Sequence, residues 1–475
     1  MSLGRVLFTN HQLVHFSGSE LVTLDLATEF KAQGWDVYVA TFIFDGEIEK
    51  CFKQNNINVF NILNEPIPIK EFDLFWAHHF PVVIKCLLED KIKAKSIVLS
   101  SLSPYEPLET VPFFHNYADL IVCNSEETKA ALSLSSEKEN LEKLFVFNNS
   151  VPANFFEFSV TRKPQELPTL SKVAVISNHP PQEILDTIKI LKKNGIIVDL
   201  IGIVGKPVLV NKELLSTYDA VITIGRTVQH CMALKIPVFC YDHFGGPGWL
   251  TPENYKLAEW FNYSGRCCNL RLSSEELATE ITVNFLAAIQ HTSFFQDYAS
   301  IHYSLVNNID RVLERIGKDF LSKPYINIEL PQTFAKIGHA YRRTLSEREL
   351  WHTELERSQS QLQQTQAELA RSQSQLQQTQ AELARSQSQL QQTQAELARS
   401  QSQLQQTQAE LARSQSQLQQ TQAELARSQA AVKQSYEEII EIENSNVGTI
   451  KTVWNKFKPI LISFKKMIKA LYIKP

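Results

Sequence analysis

Two series of short apolar segments occupy the first two thirds of the chain, and stretches with helical spacing separate them. The segments are apolar on both faces, which is typical of strands in a parallel sheet covered by helices on both sides. The pattern predicts two doubly wound, Rossmann-like α/β domains that face each other across a cleft. The first series is RVLFTN, DVYVATF, FDLFWAHH, KSIVLSS, DLIVCNS and LFVFNN, and the second is VAVISNH, IIVDLIG, YDAVITIG and PVFCYD.

Changes in composition along the chain predict its domain boundaries. The first domain covers 1–162 and the second covers 170–322, and the polar, proline-containing segment TRKPQELPTL serves as the linker between them. A helical region follows at 331–445. The chain ends in a basic amphipathic tail at 448–475.

Residues 358–427 consist of the fourteen-residue unit SQSQLQQTQAELAR repeated five times without a mismatch. Leucine recurs every seven positions from Leu362 to Leu425, and this period predicts a coiled coil with a left-handed supercoil. The other seam position is polar, with Gln359 and its equivalents if leucine occupies position d, or Thr365 and its equivalents if leucine occupies position a. We expect a weakly specified seam that acts as a spacer or joins copies of the chain into a homo-oligomer.

Charge and cysteine content narrow the classes of function. The chain has 475 residues and a formal net charge of −4, so no overall field favours nucleic acid as a partner. The seven cysteines include no Cys-x-x-Cys pair, and the first residues lack the pattern of a secretory signal. We therefore expect a cytoplasmic protein with reduced thiols. No run of about 18 apolar residues is present, so no spanning helix is expected.

Two segments of the first domain could bring chemistry to the cleft. Gly18 and Ser19 precede a helix predicted to begin near Glu20, where free N–H groups suit a phosphate or a sugar hydroxyl. Alternatively, they only form a turn and a cap. The strand FDLFWAHH brings His78 and His79 to the cleft edge, where an imidazole could hold a sugar hydroxyl. Neighbouring strand residues point to opposite faces, so only one is expected to face the ligand, and a structural role is the alternative for each.

In the second domain, a strand-to-helix turn is the strongest candidate for an anion site. Gly225 lets the backbone approach a ligand, Thr227 can cap the helix, and Arg226 offers a planar cation suited to diphosphate oxygens. An ordinary capped turn is the alternative. The loop YDHFGGPGWLTPEN follows the next strand, and its glycine-rich part is expected to lack secondary structure and to form a close-contact ligand wall, with Gly245 and Gly246 in it.

These segments resemble glycosyltransferase family 4. HFSGSELVTLDLATEFKAQGWDVYVAT and DLIVCNSEET are similar to first-domain segments of that family. SNHPPQEILDTIKILKKNGIIVDLIG, YDAVITIGRTVQHCMALKIPVFCYDHFGGPGWL and FNYSGR resemble a bacterial subgroup of GT-B proteins, and the likeness covers roughly residues 1–320. The resemblance implies a GT-B fold and a hexosyltransferase-like activity, with the nucleotide sugar mostly against the second domain and the acceptor mostly against the first.

The resemblance also implies roles for individual residues. Helix N-termini and cations would neutralise the leaving diphosphate, so we expect no metal and no cofactor beyond the nucleotide-sugar co-substrate. Either His78 or His79 takes the catalytic position near the reacting sugar. The family typically carries two glutamates, and the chain departs from it because His230 stands at the position of the second one and the first one has no counterpart. The predicted donor and phosphate site comprises Gly18, Ser19, Asn178, His179, Gly225, Arg226, Thr227, Gln229, His230, Asp242, Gly245, Gly246 and Glu253.

The segment after Gly448 holds seven lysines and no acidic residue. Apolar residues recur there at helical spacing and predict an amphipathic helix, kinked or divided at Pro459. Such a helix could lie on the inner face of an anionic membrane, which would suit a lipid-linked acceptor. Alternatively, it packs on the two domains or on a partner chain.

Three functions are compatible with these features. The favoured one is a glycosyltransferase that acts on a glycan or lipid-linked acceptor. The alternatives are a non-catalytic GT-B-like scaffold that recruits partners through its coiled coil, and a nucleotide-sugar epimerase, a class that normally needs several acidic residues in the cleft. Few acidic residues occur in the matched loops.

Overall fold

The computed structural model describes residues 2–109, 114–135, 138–157, 168–206, 208–317, 319–329, 332–444 and 450–471. Most of the predicted linker therefore lies outside the described residues. The chain divides into two compact units, Met1–His352 and Thr353–Pro475. The first unit contains two α/β lobes.

Up to Phe156, the described residues form nine strands and five α-helices, and all of these except the last helix, which packs on the second lobe, belong to the first lobe. The strands are β1 Arg5–Thr9, β2 Gln12–Leu13, β3 Asp36–Thr41, β4 Ile43–Phe44, β5 Asn58–Asn61, β6 Glu71–Ala77, β7 Lys93–Ser101, β8 Leu120–Cys123 and β9 Leu144–Val146. The helices are α1 Gly18–Ala32, α2 Gly46–Gln54, α3 Phe80–Ile84, α4 Glu126–Ser135 and α5 Ala153–Phe156.

The main sheet of this lobe has the order β5-β3-β1-β6-β7-β8-β9, and all its pairings are parallel. Its central strand β1 shows why its sequence is apolar throughout. Val6 and Phe8 point into the core on one face and Leu7 points into the core on the other, and all three side chains are fully buried. Helices therefore cover both faces of the sheet, as the sequence predicted.

The second lobe has a five-stranded sheet in the order β11-β10-β12-β13-β14. Its strands are β10 Lys172–Ile176, β11 Ile197–Ile201, β12 Ala220–Thr223, β13 Val238–Asp242 and β14 Gly245–Trp249. The helices that follow are α6 Gln182–Lys193, α7 Lys212–Leu215, α8 Arg226–Ala233, α9 Tyr255–Trp260, α10 Ser274–Val283, α11 Phe285–Gln290 and α12 Thr292–His302. The prediction of two doubly wound, Rossmann-like domains is confirmed.

Strand β14 corrects the expectation that the glycine-rich loop lacks secondary structure. It pairs with β13 in the antiparallel direction. The glycines make this close approach possible, because a Cβ atom on Gly246 would lie 2.0 Å from the carbonyl oxygen of Cys240. A Cβ on Gly245 would lie equally close to the carbonyl oxygen of Leu270. These two glycines therefore serve backbone packing.

The chain returns to the first lobe after α12. The N–H of Val151 donates to the carbonyl of Tyr303 (2.7 Å), and the N–H of Leu305 donates to the carbonyl of Val151 (3.0 Å). Helix α13, Leu305–Arg315, then packs its apolar stripe, with Ile309 and Val312 fully buried, into the core beneath β1. The segment after Ser304 thus completes the first lobe, although the sequence assigned it to the second domain. An apolar stripe shows that a helix is covered, but not which sheet covers it.

Helix α14, Gln332–Asn444, contains all five repeats, and helix α15, Ile450–Leu471, forms most of the tail. The ten leucines that recur every seven residues from Leu362 to Leu425 are each between 55% and 59% exposed. A long helix is confirmed for the repeat region, whereas its pairing into a coiled coil stays a prediction. None of the described helices is long and apolar enough to cross a membrane.

Candidate functional site

A cleft of about 830 Å³ lies between the two lobes of the first unit. Its first-lobe wall includes the segment after β1 and the segment after β7, and its second-lobe wall includes the loops after β10, β12 and β13. Ligands of parallel α/β sheets bind at these carboxyl ends of strands. The volume falls within the range of about 300–1,000 Å³ that is usual for small-molecule sites.

The turn that begins α8 forms part of the second-lobe wall. Gly225, Arg226 and Thr227 all line the cleft. Gly225 is the N-cap of α8 and has φ +59° and ψ −138°, a conformation that residues with a side chain rarely adopt. Because the N-cap is a glycine, no side chain is present to accept hydrogen bonds from the first N–H groups of the helix. These N–H groups are therefore available to an anion in the cleft. Thr227 was expected to cap α8, but it lies inside the first turn.

Arg226 makes an ion pair across the two lobes. Its Nη2 donates to Oδ2 of Asp25, which lies on α1 of the first lobe. The side chains of Arg226 and Asp25 are only 11% and 18% exposed. Burial raises the pKa of the Asp25 carboxyl, and the nearby guanidinium opposes this effect. Asp25 is not among the residues predicted from the sequence, although an acidic residue inside the apolar run LVTLDLATEF is a signal that could have revealed it.

A second ion pair and an amide contact also join the lobes. Arg266, in the FNYSGR segment, donates to both carboxylate oxygens of Glu127 at 2.8 and 2.7 Å. The hydroxyl of Tyr105 donates to the same carboxylate at 3.0 Å. Asn149 of the first lobe donates to Asn262 of the second at 2.9 Å. These bonds hold the two lobes together around the cleft.

Glu20 organises the first-lobe wall of the cleft. Its buried carboxylate accepts the N–H groups of Val14 (2.6 Å) and His15 (2.7 Å) and the hydroxyl of Ser17 (2.8 Å). Helix α1 begins at Gly18, two residues earlier than expected, with Ser17 as its N-cap. Gly18 and Ser19 line the cleft directly across from the second lobe's loops. Ser19, which was expected to cap the helix as an alternative, lies inside it.

His78 and His79 are placed differently from the expectation. Both are buried, and neither is among the described residues that line the cleft. The reason is that β6 ends at Ala77, so both histidines belong to the turn before α3, where His79 has φ +61°. Among the described residues, neither ring nitrogen of His78 has a hydrogen-bond partner, and burial lowers the pKa of His78 to about 4.

Within the described residues, His79 does not contact the cleft itself but is hydrogen-bonded to Glu109, whose carboxylate does. Its Nε2 lies 3.0 Å from Glu109 Oε1, and its Nδ1 lies 2.8 Å from Nδ1 of His11. Glu109 lines the cleft, and its other oxygen accepts the N–H of Leu102 at 3.0 Å. Burial alone would raise the pKa of Glu109, but His79, His78 and that N–H group together lower it. Glu109 is therefore an oriented, ionised carboxylate.

The other predicted donor residues fall into two groups. Asn178, His179 and Asp242 line the cleft, and Asp242 accepts hydrogen bonds from Ser264 Oγ (2.6 Å) and from the N–H of Gly265 (3.1 Å). The remaining candidates do not line it among the described residues. Gln229 and His230 are buried inside α8, Gly245 and Gly246 lie in β14, and Glu253 is exposed on the segment before α9.

Acidic residues outnumber cations in the cleft. Glu47, Glu106, Glu109 and Asp242 line it, whereas Arg226 is the one arginine or lysine among its described lining residues. The loops that resemble the family hold few acidic residues, and the sequence therefore offered no sign of this excess. Among the described residues, no group of three or more His, Cys, Asp or Glu side chains is arranged to hold a metal ion.

Comparison with known proteins finds similarity in fold with solved structures. A glycosyltransferase from Rickettsia africae ESF-5 is 13% identical, and the match covers 67% of this chain and 99% of that chain with a TM-score of 0.44. TarM from S. aureus, in complex with fondaparinux, alpha-GlcNAc-glycerol and UDP, is 10% identical over 66% of this chain and 100% of that chain, with a TM-score of 0.44. WaaG, a glycosyltransferase involved in lipopolysaccharide biosynthesis, is 11% identical over 66% of this chain and 100% of that chain, with a TM-score of 0.39.

No protein family model matches the chain, and no curated protein matches it. Similarity at this level specifies neither a substrate nor a mechanism.

Proposed function

We propose that the protein is a glycosyltransferase that transfers a hexose-like sugar from a nucleotide sugar to a hydroxyl group of a glycan or lipid-linked acceptor. The observation that carries this proposal is the Gly225 turn, which opens the N-terminus of α8 onto the interlobe cleft. Gly18 and Ser19, at the N-terminus of α1, line the same cleft from the other lobe. Two helix N-termini thus offer N–H groups and positive dipole ends to one ligand.

In the proposed reaction, the second lobe holds the donor. The N–H groups of Arg226 and Thr227 bind the diphosphate, and they stabilise its charge as the bond between sugar and phosphate breaks and the electron pair moves to the phosphate oxygen. The Arg226 guanidinium, fixed by Asp25, adds positive charge. This arrangement replaces a metal ion in the proposal. Asn178 and Asp242 are the proposed partners of the donor's sugar and ribose hydroxyls.

The first lobe receives the acceptor in this proposal. Glu109 is the proposed partner of the reacting hydroxyl, because its carboxylate lines the cleft and His79 and Leu102 fix its orientation. An acceptor hydroxyl that donates to this oxygen would be aligned toward the sugar held by the second lobe. Its oxygen forms the new bond to the sugar as the bond to the phosphate breaks, and its proton passes to the Glu109 carboxylate. The proposal thus moves the catalytic role from His78 or His79 to Glu109.

Copies of the same chain are the proposed partners of the repeat region. The ten half-exposed leucines form one stripe along α14, and pairing two such stripes would remove them from water. Sedimentation velocity on the full chain tests this, with Leu383→Ala and Leu390→Ala combined. We expect an oligomer that shifts toward monomer in the variant. A monomeric wild-type chain at micromolar concentration would overturn it.

The proposed activity is tested with a panel of nucleotide sugars. A ligand that binds the folded state raises the melting temperature, so the full chain is heated with each nucleotide sugar in turn. The donor that stabilises the protein is then incubated with it, and products are separated. Release of nucleoside diphosphate with sugar transfer or hydrolysis supports the proposal.

Two other outcomes favour the alternatives. An epimerised nucleotide sugar formed without release of the nucleotide indicates an epimerase. This class normally needs several acidic residues in the cleft, and the four carboxylates that line the cleft meet that need. Failure of every nucleotide sugar to raise the melting temperature at several millimolar indicates a non-catalytic scaffold.

A further inference from the structure

Helix α15 carries a continuous apolar stripe that is exposed to solvent. Trp454, Leu461, Phe464 and Ile468 are 61%, 57%, 37% and 48% exposed. At about 100° per residue, these four positions fall within a sector of about 80°. Ile460 and Met467, also exposed, extend the stripe to about 140°. A stripe of this width on a helix is usually buried against another apolar phase.

Lysines border this stripe. Lys458, Lys465 and Lys469 follow one edge of it, Lys456 lies at the other edge, and Lys466 lies on the opposite side of the helix; all five are exposed. The sequence after Gly448 contains no acidic residue. The surface that covers the stripe must therefore be negatively charged next to an apolar interior.

We propose that α15 binds in the plane of an anionic lipid bilayer, with its apolar stripe among the acyl chains and its lysines among the phosphate headgroups. The combination of a wide apolar face with a basic polar face is typical of helices that lie in a membrane interface. The lysines within α15 exclude a spanning orientation, in agreement with the finding that none of the described helices is apolar enough to cross a membrane.

A bilayer fits α15 better than a second copy of the same helix. Two copies that paired their stripes would bring their lysines together without any acidic residue between them, and like charges repel at that distance. The end of α14 is the other acidic surface available, because Glu437, Glu438 and Glu441 lie just before the tail. Packing of α15 against that segment is the competing outcome of the experiment.

The experiment measures binding of the full chain to vesicles, without any nucleotide sugar. Vesicles of phosphatidylcholine alone are compared with vesicles that contain one third phosphatidylglycerol, by co-sedimentation at low and high salt. We expect binding to the anionic vesicles alone, weakened at 0.5 M NaCl. Each lysine near an anionic surface contributes about 1 kcal/mol, so Lys465→Gln with Lys466→Gln is expected to weaken binding about 30-fold.

Matched variants separate the apolar stripe from general effects on the chain. Ile468→Ser is expected to weaken vesicle binding about tenfold or more, since it places a hydroxyl in the stripe. Ile462→Ser removes a similarly exposed isoleucine, 56% against 48% for Ile468, about 150° away from the centre of the stripe and is expected to leave binding unchanged. The adjacent, exposed pair Lys192 and Lys193 on α6, changed to glutamine, is the control for the loss of two charges.

Several results would overturn the proposal. The protein could bind neither kind of vesicle, it could bind both kinds equally, or Ile468→Ser and Ile462→Ser could lose vesicle binding to the same extent. Cross-linking of α15 to the end of α14 that persists with anionic vesicles present would assign the stripe to the competing contact. The outcome is independent of the proposed glycosyltransferase activity, because nucleotide-sugar binding is measured without vesicles and vesicle binding without nucleotide sugar.

Discussion

The ion pair between Asp25 and Arg226 makes a quantitative prediction about how the two lobes are held together. Both side chains are mostly buried, and the pair joins α1 of one lobe to α8 of the other. Removing one partner of a buried pair leaves an uncompensated charge and costs about 3–5 kcal/mol. We therefore expect Asp25→Ala and Arg226→Ala each to lower the free energy of unfolding by about 3 kcal/mol. The double variant should lose much less than the sum of the two.

The assay is a double-mutant cycle followed by urea unfolding and tryptophan fluorescence. The matched control is the cycle on Lys189 and Asp186, an ion pair of 2.7 Å on α6 whose side chains are 74% and 40% exposed. Water screens an exposed pair of this kind, and ordering its two side chains costs entropy, so its coupling energy is expected to be small. A coupling energy between Asp25 and Arg226 no larger than that of the control would refute the interlobe role.

The pH dependence of Arg226→Ala adds an independent check. Burial already raises the pKa of Asp25, and loss of the guanidinium removes the opposing effect, so the pKa of Asp25 in the folded variant rises further. A carboxyl with a raised folded-state pKa favours the folded state below its unfolded pKa, and this contribution is lost as the pH rises through the folded pKa. The variant should therefore be closer to wild type at pH 4 than at pH 8. A deficit that does not depend on pH would contradict this cause.

Three further predictions concern single residues. Gly225→Ala forces a side chain onto a backbone with positive φ and should lower the stability measured by thermal unfolding by about 1–3 kcal/mol. The control, Gly18→Ala, has open space and an ordinary φ and should cost less than about 1 kcal/mol. Equal losses in the two variants would contradict backbone strain at Gly225. Because burial lowers the pKa of His78 from 6.5 to about 4, His78 should contribute about 3 kcal/mol to the loss of stability as the pH falls from 7 toward 4. His78→Leu should remove that share in urea titrations, while the buried His11 and His230, whose pKa values are also lowered, keep theirs; an unchanged pH profile would contradict it. Glu109→Gln should lower transfer to the acceptor at least tenfold with donor affinity unchanged by calorimetry; a loss confined to donor affinity would place Glu109 on the donor side instead.

The strands of the two sheets could be predicted because a strand that is buried on both faces consists of consecutive apolar residues. Val6, Leu7 and Phe8 are apolar in succession, and each fills a core on one side or the other of β1. The position of the Gly225 turn was also predictable, because a glycine between a strand and a helix marks a close approach of backbone. These features depend on neighbours in the chain.

Features that depend on distant neighbours were not predictable. Asp25 pairs with Arg226 across 201 positions, and the sequence holds no local sign of that partnership beyond an acid in an apolar run. His79 follows a strand, and residues in that position commonly face the ligand site. Its backbone, however, has φ +61° and directs the ring toward His11 and Glu109. Glu109 itself lies on a short turn at Pro107–Glu109 that no motif marks.

Removal of one main-chain donor at the start of α8 is a direct test of whether this helix N-terminus binds the diphosphate. Proline is tolerated in the first turn of a helix, so Thr227→Pro deletes a single N–H group, while Thr227→Val keeps that group and removes only the hydroxyl. The nucleotide sugar that best stabilises the protein is titrated into each variant by calorimetry with EDTA present. We expect wild type and Thr227→Val to bind alike and Thr227→Pro to bind about 10- to 100-fold more weakly, since a hydrogen bond to a charged group contributes about 1.5–3 kcal/mol. Equal affinity of the proline and valine variants, or loss of wild-type binding in EDTA, would contradict it.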